Sequence, residues 1–371
     1  TATVTIRLQR AVIPLREIRV APGTFGFLEE VSPGTTRTLT RNEIQTMPQL
    51  GEDVFRALKR IPGVAAADIS TKLNIRGGTG REVLIRLDGL ELHEPYHMRD
   101  WDGALGVVDL NALSGVELTA GGFGVEYGDK MTGVLDMTTR TSVGEAQTSL
   151  GLSVTNVTAL SHGGFADDRG AWLLSARRGF MELVMKMIGE DERLSPRYYD
   201  VFGKLSYQIG DRHLLSANIL HTRDEFDLRA IEWDGFQAVP GLDEVDVRTR
   251  WDSNCGWVKW DAEPGRHFSA RTVGWVGRLT RLRNGYQVDF GTVDSPERID
   301  VLDDRRFDFA GTRHDLSIEF SERAMIKLGA EWKIGRADYS YSSRTLTPGS
   351  SEAGSTCGVH RLIRSPSEAT V

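Results

Sequence analysis

After about residue 146, a hydropathy pattern with a period of two residues returns repeatedly, with no helical pattern between its repeats. It is clearest over 326–335. Ile326, Leu328, Ala330, Trp332 and Ile334 fall on one side, and Lys327, Gly329, Glu331, Lys333 and Gly335 on the other. The same alternation runs through Val201, Gly203, Leu205, Tyr207 and Ile209; through Leu215, Ala217 and Ile219; through Gly256, Val258 and Trp260; and through His314, Leu316, Ile318 and Phe320. Successive strand side chains point to opposite faces, so each run predicts a two-faced antiparallel strand. The connections alternate in length. Asp167-Asp168-Arg169, Gly210-Asp211-Arg212, Pro264-Gly265-Arg266 and Ser321-Glu322-Arg323 are tight polar turns, and long polar stretches lie near 182–197, 224–248 and 282–304. Short turns at one end and long loops at the other are the arrangement of a transmembrane β-barrel. The runs are long enough for the roughly 9–11 residues that a tilted membrane strand needs. Nine such strands are read through about residue 343. A barrel in lipid has to close, because an open edge leaves backbone groups without partners. The chain is therefore expected to be an incomplete barrel, with an irregular Ser/Thr/Gly/Pro tail over 346–371.

The residues before 146 follow other rules. Val4, Ile6 and Leu8 alternate with Thr3, Thr5 and Arg7, which predicts the last strand of an upstream β-domain over 1–14. Residues 15–35 carry Pro22, Gly23, Gly26, Pro33 and Gly34 and read as a linker with an extended segment at its head. Thr40 followed by Glu43 is a capping-box pattern that opens a short helix. A second helix starts at Asp53, with Val54, Ala57, Leu58 and Ile61 on one face, and is expected to run to Pro62-Gly63. Residues 64–140 are short strands broken by glycine: Leu73 to Arg76, Val83 to Leu87 ending at the turn dipeptide Asp88-Gly89, Gly115 to Leu118, and Val134 to Thr138. A helical turn is expected over Asp109 to Leu113, and a long polar and aromatic loop over 90–104. The segment 36–141 is predicted to be a small α+β domain with a mixed sheet.

Composition excludes some functions. A net charge of −7 argues against a general nucleic-acid binder. No stretch approaches the 18 consecutive apolar residues of a transmembrane helix. Cys255 and Cys357 form no metal or redox motif, and their disulfide state is open. Gly121-Gly122-Phe123-Gly124 lacks the strand–loop–helix setting of a phosphate cradle. His93, His97 and Asp100 share a loop without a fixed ligand geometry, so no metal is assigned. No nucleophile–base pairing is present, and neither an enzyme nor a cofactor is expected.

Seven runs within 36–140 resemble, in order, the plug domain of TonB-dependent outer-membrane receptors. They are Asp53-Val54-Phe55-Arg56-Ala57-Leu58; Ile61-Pro62-Gly63-Val64; Asn74-Ile75-Arg76-Gly77; Val83-Leu84-Ile85-Arg86-Leu87-Asp88-Gly89; Val116-Glu117-Leu118; Glu126-Tyr127-Gly128; and Gly133-Val134-Leu135-Asp136-Met137. Ser175-Ala176-Arg177-Arg178 resembles the start of the family's barrel, whereas Thr119-Ala120-Gly121-Gly122-Phe123-Gly124 stands where the family has an Arg-Gly-Pro-Gly run. The resemblance implies an α+β plug over 36–141, followed over 146–345 by an incomplete antiparallel barrel. Nine strands would be present of about 22, the size at which a lumen needs a plug.

It also implies roles. Leu15, Arg16, Glu17, Ile18, Arg19, Val20 and Ala21 resemble the TonB box, a segment that adds as a strand to the TonB protein of the inner-membrane complex. Arg76 and Glu126, with Gly77, Tyr127 and Gly128, are expected to face the barrel wall. The 90–104 loop would meet substrate at the plug's outer apex through His93, Glu94, Tyr96, His97, Arg99, Asp100, Trp101 and Asp102, or pack as a polar loop on the wall. The implied function is uptake across the bacterial outer membrane of a siderophore, cobalamin, oligosaccharide or peptide. The implied partners are TonB, outer-membrane lipid and that ligand. The alternatives are a surface receptor that binds without transport and a soluble β-rich enzyme.

Overall fold

The computed structural model describes residues 36–47, 53–67, 70–153, 155–189, 194–231, 244–265, 267–289, 297–321 and 324–346. The strand expected over 1–14, the segment Leu15–Ala21, Cys357 and nearly all of the 346–371 tail lie outside them. The small domain contains β1 (Thr36–Thr40), α1 (Arg41–Thr46), α2 (Val54–Leu58), β2 (Val64–Ala65), β3 (Asn74–Ile75), β4 (Val83–Leu87), β5 (Leu90–Glu91), β6 (Tyr96–His97), β7 (Leu105–Gly106), β8 (Leu113–Thr119) and β9 (Gly133–Thr139). The large sheet contains β10 (Gln147–Leu152), β11 (Asn156–Phe165), β12 (Gly170–Gly179), β13 (Leu194–Ile209), β14 (His213–Ile231), β15 (Glu244–Gly265), β16 (Phe268–Asp289), β17 (Glu297–Ser321) and β18 (Ala324–Leu346), with α3 (Met181–Ile188) between β12 and β13.

In the small domain the order is β1-β8-β9-β4-β5, with β4 and β9 parallel and the other pairs antiparallel. The capping box forms as the sequence predicts: Glu43 N–H donates to the Thr40 hydroxyl, and the Glu43 carboxylate accepts from Thr40 N–H. Asp53 caps α2 by accepting from Arg56 N–H, and its second oxygen accepts from Gly106 N–H, which ties α2 to β7. Helix α2 ends at Leu58, short of Pro62, because the chain already turns through Lys59 and Arg60. Val54, Phe55, Ala57 and Leu58 are fully buried against Leu73, Ile75, Leu113 and Leu135. Asp88 and Gly89 both have positive φ (46° and 92°), the requirement of a two-residue hairpin turn between β4 and β5.

The large sheet is antiparallel throughout, in the order β10 to β18. Among the described residues its edges, β10 and β18, each have one partner. The expected mixed-sheet domain and the open antiparallel wall of nine strands are both present. Inward and outward residues separate as the period of two requires. One inward row reads Leu173, Lys204, Asn218, Trp257, Trp275, Gly311 and Lys333; the neighbouring outward row reads Leu174, Gly203, Ile219, Gly256, Val276, Ala310 and Ile334. Lys204, Asn218 and Trp257 are buried against the small domain, while Ile219 is 60% and Val276 62% exposed. Such a belt of exposed apolar side chains on the outer face has the pattern of the strands of a transmembrane barrel.

Three stretches read as long loops are largely ordered. Residues 181–188 form α3, and 224–231 with 244–248 and 282–289 with 297–304 continue the strands in register. Above the apolar belt the outward positions turn polar, as at Asp246, Arg248, Arg298 and Asp300, while Val247 and Val301 face inward, so pairing persists where the outward apolar row ends. Cross-strand pairs such as Arg281–Asp303 (3.3 Å) and Arg229–Asp246 (3.8 Å) hold these extensions. Strand β1 was also not anticipated; its Leu39 is its one buried side chain, which gives too little alternation to read.

Replacing Asp53 by Ala removes a helix cap and leaves the buried Gly106 N–H unpaired. The expected cost is about 2–4 kcal/mol in the small domain. Urea titration of the detergent-solubilised chain, read by protease cleavage within 53–106, would show it; an unchanged midpoint would remove this role for Asp53.

Candidate functional site

The loop 90–104 is held from below. Thr71 N–H and hydroxyl donate to Gly103 O at 2.9 and 2.6 Å, the Ser70 hydroxyl donates to Asp102 O at 2.7 Å, and Arg56 Nη2 donates to Ala104 O at 2.7 Å. Met98 and Asp102 take left-handed backbone conformations (φ 54° and 51°). These anchors push the loop's tip against the inner face of the large sheet.

His97 is fully buried there. Its Nδ1 lies 3.0 Å from Asp224 Oδ1 on β14, and its Nε2 lies 3.0 Å from Asp200 Oδ2 on β13. Two carboxylates on two ring nitrogens are satisfied by the imidazolium, which donates from both. Met98 N–H also donates to Asp224 at 2.9 Å. Arg177 on β12 holds Asp200 (Nη2 at 2.8 Å) and donates to Gly106 O at 2.6 Å. The Tyr198 ring stacks on His97 with centroids 4.4 Å apart. Tyr198 lies flat because its cross-strand neighbour is Gly179, where a Cβ would come 1.9 Å from the ring. Two cations therefore balance two carboxylates between two domains. Burial alone would lower the His97 pKa, but Asp224 and Asp200 outweigh it and raise the value above the ordinary one.

Further contacts line the same interface. Asp88, in the β4–β5 turn, accepts from Lys204 Nζ at 3.2 Å and from the N–H (3.1 Å) and hydroxyl of Thr139. Burial would raise its pKa, but Lys204 and Lys259 hold it below the usual carboxylate range. Glu91 meets Lys333 and Lys130, each at 3.1 Å, and despite burial its pKa falls to about 2. Asp109 accepts from the Ser175 hydroxyl at 2.8 Å. Within the small domain, Arg86 and Asp136 pair through two 2.7 Å hydrogen bonds.

The residues singled out in the sequence divide. Tyr127 reaches the wall: its ring lies 4.6 Å from the Arg86 guanidinium and 5.9 Å from that of Arg313 on β17. Arg76 is exposed beside Gly121, Glu126 folds over Gly124, and Gly77 and Gly128 are exposed. Neither Arg76 nor Glu126 makes an ion pair with the wall among the described residues. Tyr96 is buried against Phe55 in the domain core. His93 packs edge-on to Phe307 and Phe309, and burial lowers its pKa. Arg99 Nε donates to Tyr96 O at 3.0 Å and lies 3.6 Å from Glu94, and Asp102 pairs with Lys72 at 2.7 Å. Asp100 accepts from Trp251 Nε1 at 3.0 Å, and Trp101 ends the 3₁₀ turn Arg99–Trp101. A cleft of about 700 Å³ opens beside this loop, lined in part by His93, Glu94, Trp251, Arg281, Arg305 and Tyr339. The four wall residues were not anticipated. They occupy inward positions of ordinary alternating strands, and only the register brings them to one height.

His97 gives a pH test. Its stabilisation of the docked loop is full below the unfolded value of about 6.5 and is lost as pH rises through the raised folded-state value. Protection of the amides over 96–106, taken relative to their intrinsic exchange rate at each pH, is expected to be high at pH 6, to fall on the alkaline side, and to lose this dependence in His97→Gln. A flat profile in the unmodified chain would show that His97 carries no proton there.

Residues 29–134 match the family model "TonB-dependent Receptor Plug Domain". No curated protein matches the sequence. Among solved structures, the chain is similar to Pseudomonas aeruginosa FpvA bound to heterologous pyoverdines (9% identity, TM-score 0.60, 91% of this chain and 47% of that one). It is similar to the unliganded ferric citrate transporter FecA (18%, 0.58, 90% and 51%) and to the siderophore receptor PirA of Acinetobacter baumannii (15%, 0.53, 87% and 60%). The chain thus spans between 47% and 60% of the length of these structures, and at such identities what they share with it is the fold. Residues 29–134 thus match a TonB-dependent receptor plug domain, and the antiparallel wall packed around that domain has the fold of these solved structures.

Proposed function

We propose that the chain serves TonB-dependent uptake of a scarce ligand across the bacterial outer membrane. The observation that carries this reading is the interface between plug and wall. It sets charge-compensated contacts, the buried His97 with Asp200 and Asp224, the buried Asp88 with Lys204, and the half-buried Glu91 with Lys333, beside an apolar cluster that joins the plug core to Leu173, Phe202, Leu220 and Trp257 of the wall. Removing one partner of such a pair costs about 3–5 kcal/mol, yet water can take over both partners when the whole seam parts. A plug seated this way blocks the lumen at rest and can be displaced by work.

In this reading the outer apex of the plug and the cleft beside it receive the ligand. The energised TonB protein takes Leu15–Ala21 as an added strand and pulls. Outer-membrane lipid covers the belt that includes Ile219 and Val276. The solved neighbours are siderophore receptors and a ferric citrate transporter by description, so ferric chelates are the first ligands to screen, before cobalamin, oligosaccharides and peptides. A receptor that binds without transport is the alternative.

Deleting Leu15–Ala21 separates the two. Cells carrying the deletion should still bind labelled ligand but should lose its accumulation. Accumulation equal to that of the intact chain would leave the binding-only reading.

A further inference from the structure

One register row of the inner wall sets Trp251, Arg281, Arg305 and Tyr339 side by side on β15 to β18. The row stands above the apolar belt, at the height of the plug's apical loop. The Arg281 guanidinium carbon lies 4.7 Å from the Trp251 ring centroid, and that of Arg305 lies 4.8 Å from the Tyr339 centroid. A third guanidinium comes from the plug: Arg99 also lies 4.7 Å from the Trp251 ring. Asp303 is shared between Arg281 (3.3 Å) and Arg305 (2.8 Å), and Asp100 is occupied by the Trp251 indole N–H. Glu94 sits 3.6 Å from Arg99.

Two donors remain over. Arg99 Nη1 and Arg281 Nε are buried and have no hydrogen-bond partner. The Arg99 side chain is only 8% exposed, so its free N–H is not turned to bulk water. Two cations beside one ring repel each other, and a buried donor without an acceptor costs about 1–3 kcal/mol. Both penalties vanish if an anion's oxygens settle beside the ring. The cleft of about 700 Å³ that Trp251, Arg281, Arg305 and Tyr339 line has the size of a small-molecule site. The flat rings suit a planar part of the guest, and the guanidinium forks suit carboxylate or phosphate oxygens.

We propose that this shelf binds a small polyanion, whose oxygens accept from Arg99 and Arg281 at the edge of Trp251. As the ligand site of a transporter, the shelf rests on the uptake reading above; as an anion site it does not. Arg99 is a positioning residue as well as a contact. It donates to Tyr96 O at 3.0 Å, one residue before His97, so a guest that draws Arg99 outward draws on the loop that His97 pins.

The test is calorimetric titration of the full chain in detergent, with citrate as a trianionic probe and maltotriose as an uncharged one. Citrate should bind more tightly than maltotriose and weaken with salt. Arg281→Gln and Arg99→Gln should each weaken citrate about tenfold or more, as expected for a charge-assisted hydrogen bond. Arg281→Lys should recover part of the loss, and Arg344→Gln, away from the shelf, should change nothing. Because Arg99→Gln could loosen the plug, Arg281→Gln decides. Citrate binding no tighter than maltotriose, or unchanged by Arg281→Gln, overturns the proposal. If citrate binds as expected while deletion of Leu15–Ala21 leaves accumulation intact, the uptake reading fails and the anion site stands.

Discussion

His97 can stay buried between Asp200 and Asp224 only while it keeps a proton on each nitrogen and Arg177 balances the second carboxylate. The rest of the interface follows from that constraint. The apical loop must be rigid enough to deliver the imidazole, hence the ties from Ser70, Thr71 and Arg56. The wall must present carboxylates at matching heights on adjacent strands, which the register Asp200↔Thr222 and Tyr198↔Asp224 provides. A flat aromatic lid is needed over the ring, and Gly179 makes room for it. Below the cluster, Leu173, Phe202, Leu220 and Trp257 of the wall join the plug's own apolar core. Had the cluster been unpaired charge, plug and wall would not have docked.

The wall was legible in the sequence because a strand with one apolar and one polar face requires a strict alternation. Leu328, Trp332 and Ile334 had to share a face, and they do. The same rule lost its grip above the belt, where the outward positions Arg229, Asp246 and Asp300 are polar and the apolar residues Val247 and Val301 face inward. There the sequence reads as loop although the hydrogen-bonded ladder continues. Helix α3 was hidden for a different reason: eight residues without a side-chain cap give little helical signal.

The candidate site was legible only on the plug side. His93, Glu94, His97, Arg99 and Asp100 stand in one conspicuous loop, and all of them touch the wall or the cleft or border them. Their roles were not visible. Tyr96 turned inward to Phe55, and His97 is consumed by the seam. The partners Asp200, Asp224, Trp251, Arg281 and Arg305 are spread over more than a hundred positions of chain. Pairing register, which is set by whole hairpins, brings them together, and no local pattern marks which inward residue meets which.

The strands that continue past the apolar belt have a mechanical consequence. At about 3.3 Å per residue, β17 runs on for roughly 40 Å beyond Ala310, so the mouth of the protein is a stiff collar and not a fringe of loops. Strand β17 is tied to β16 there by exposed ion pairs such as Arg278–Asp308, which dissolved salt screens, and by backbone pairing, which salt does not. Salt therefore acts on the side-chain ties of the collar and leaves its backbone ladder in place. In dilute surroundings those ties fix the side chains that rim the opening, and in brine they loosen while the strands that carry them keep their register.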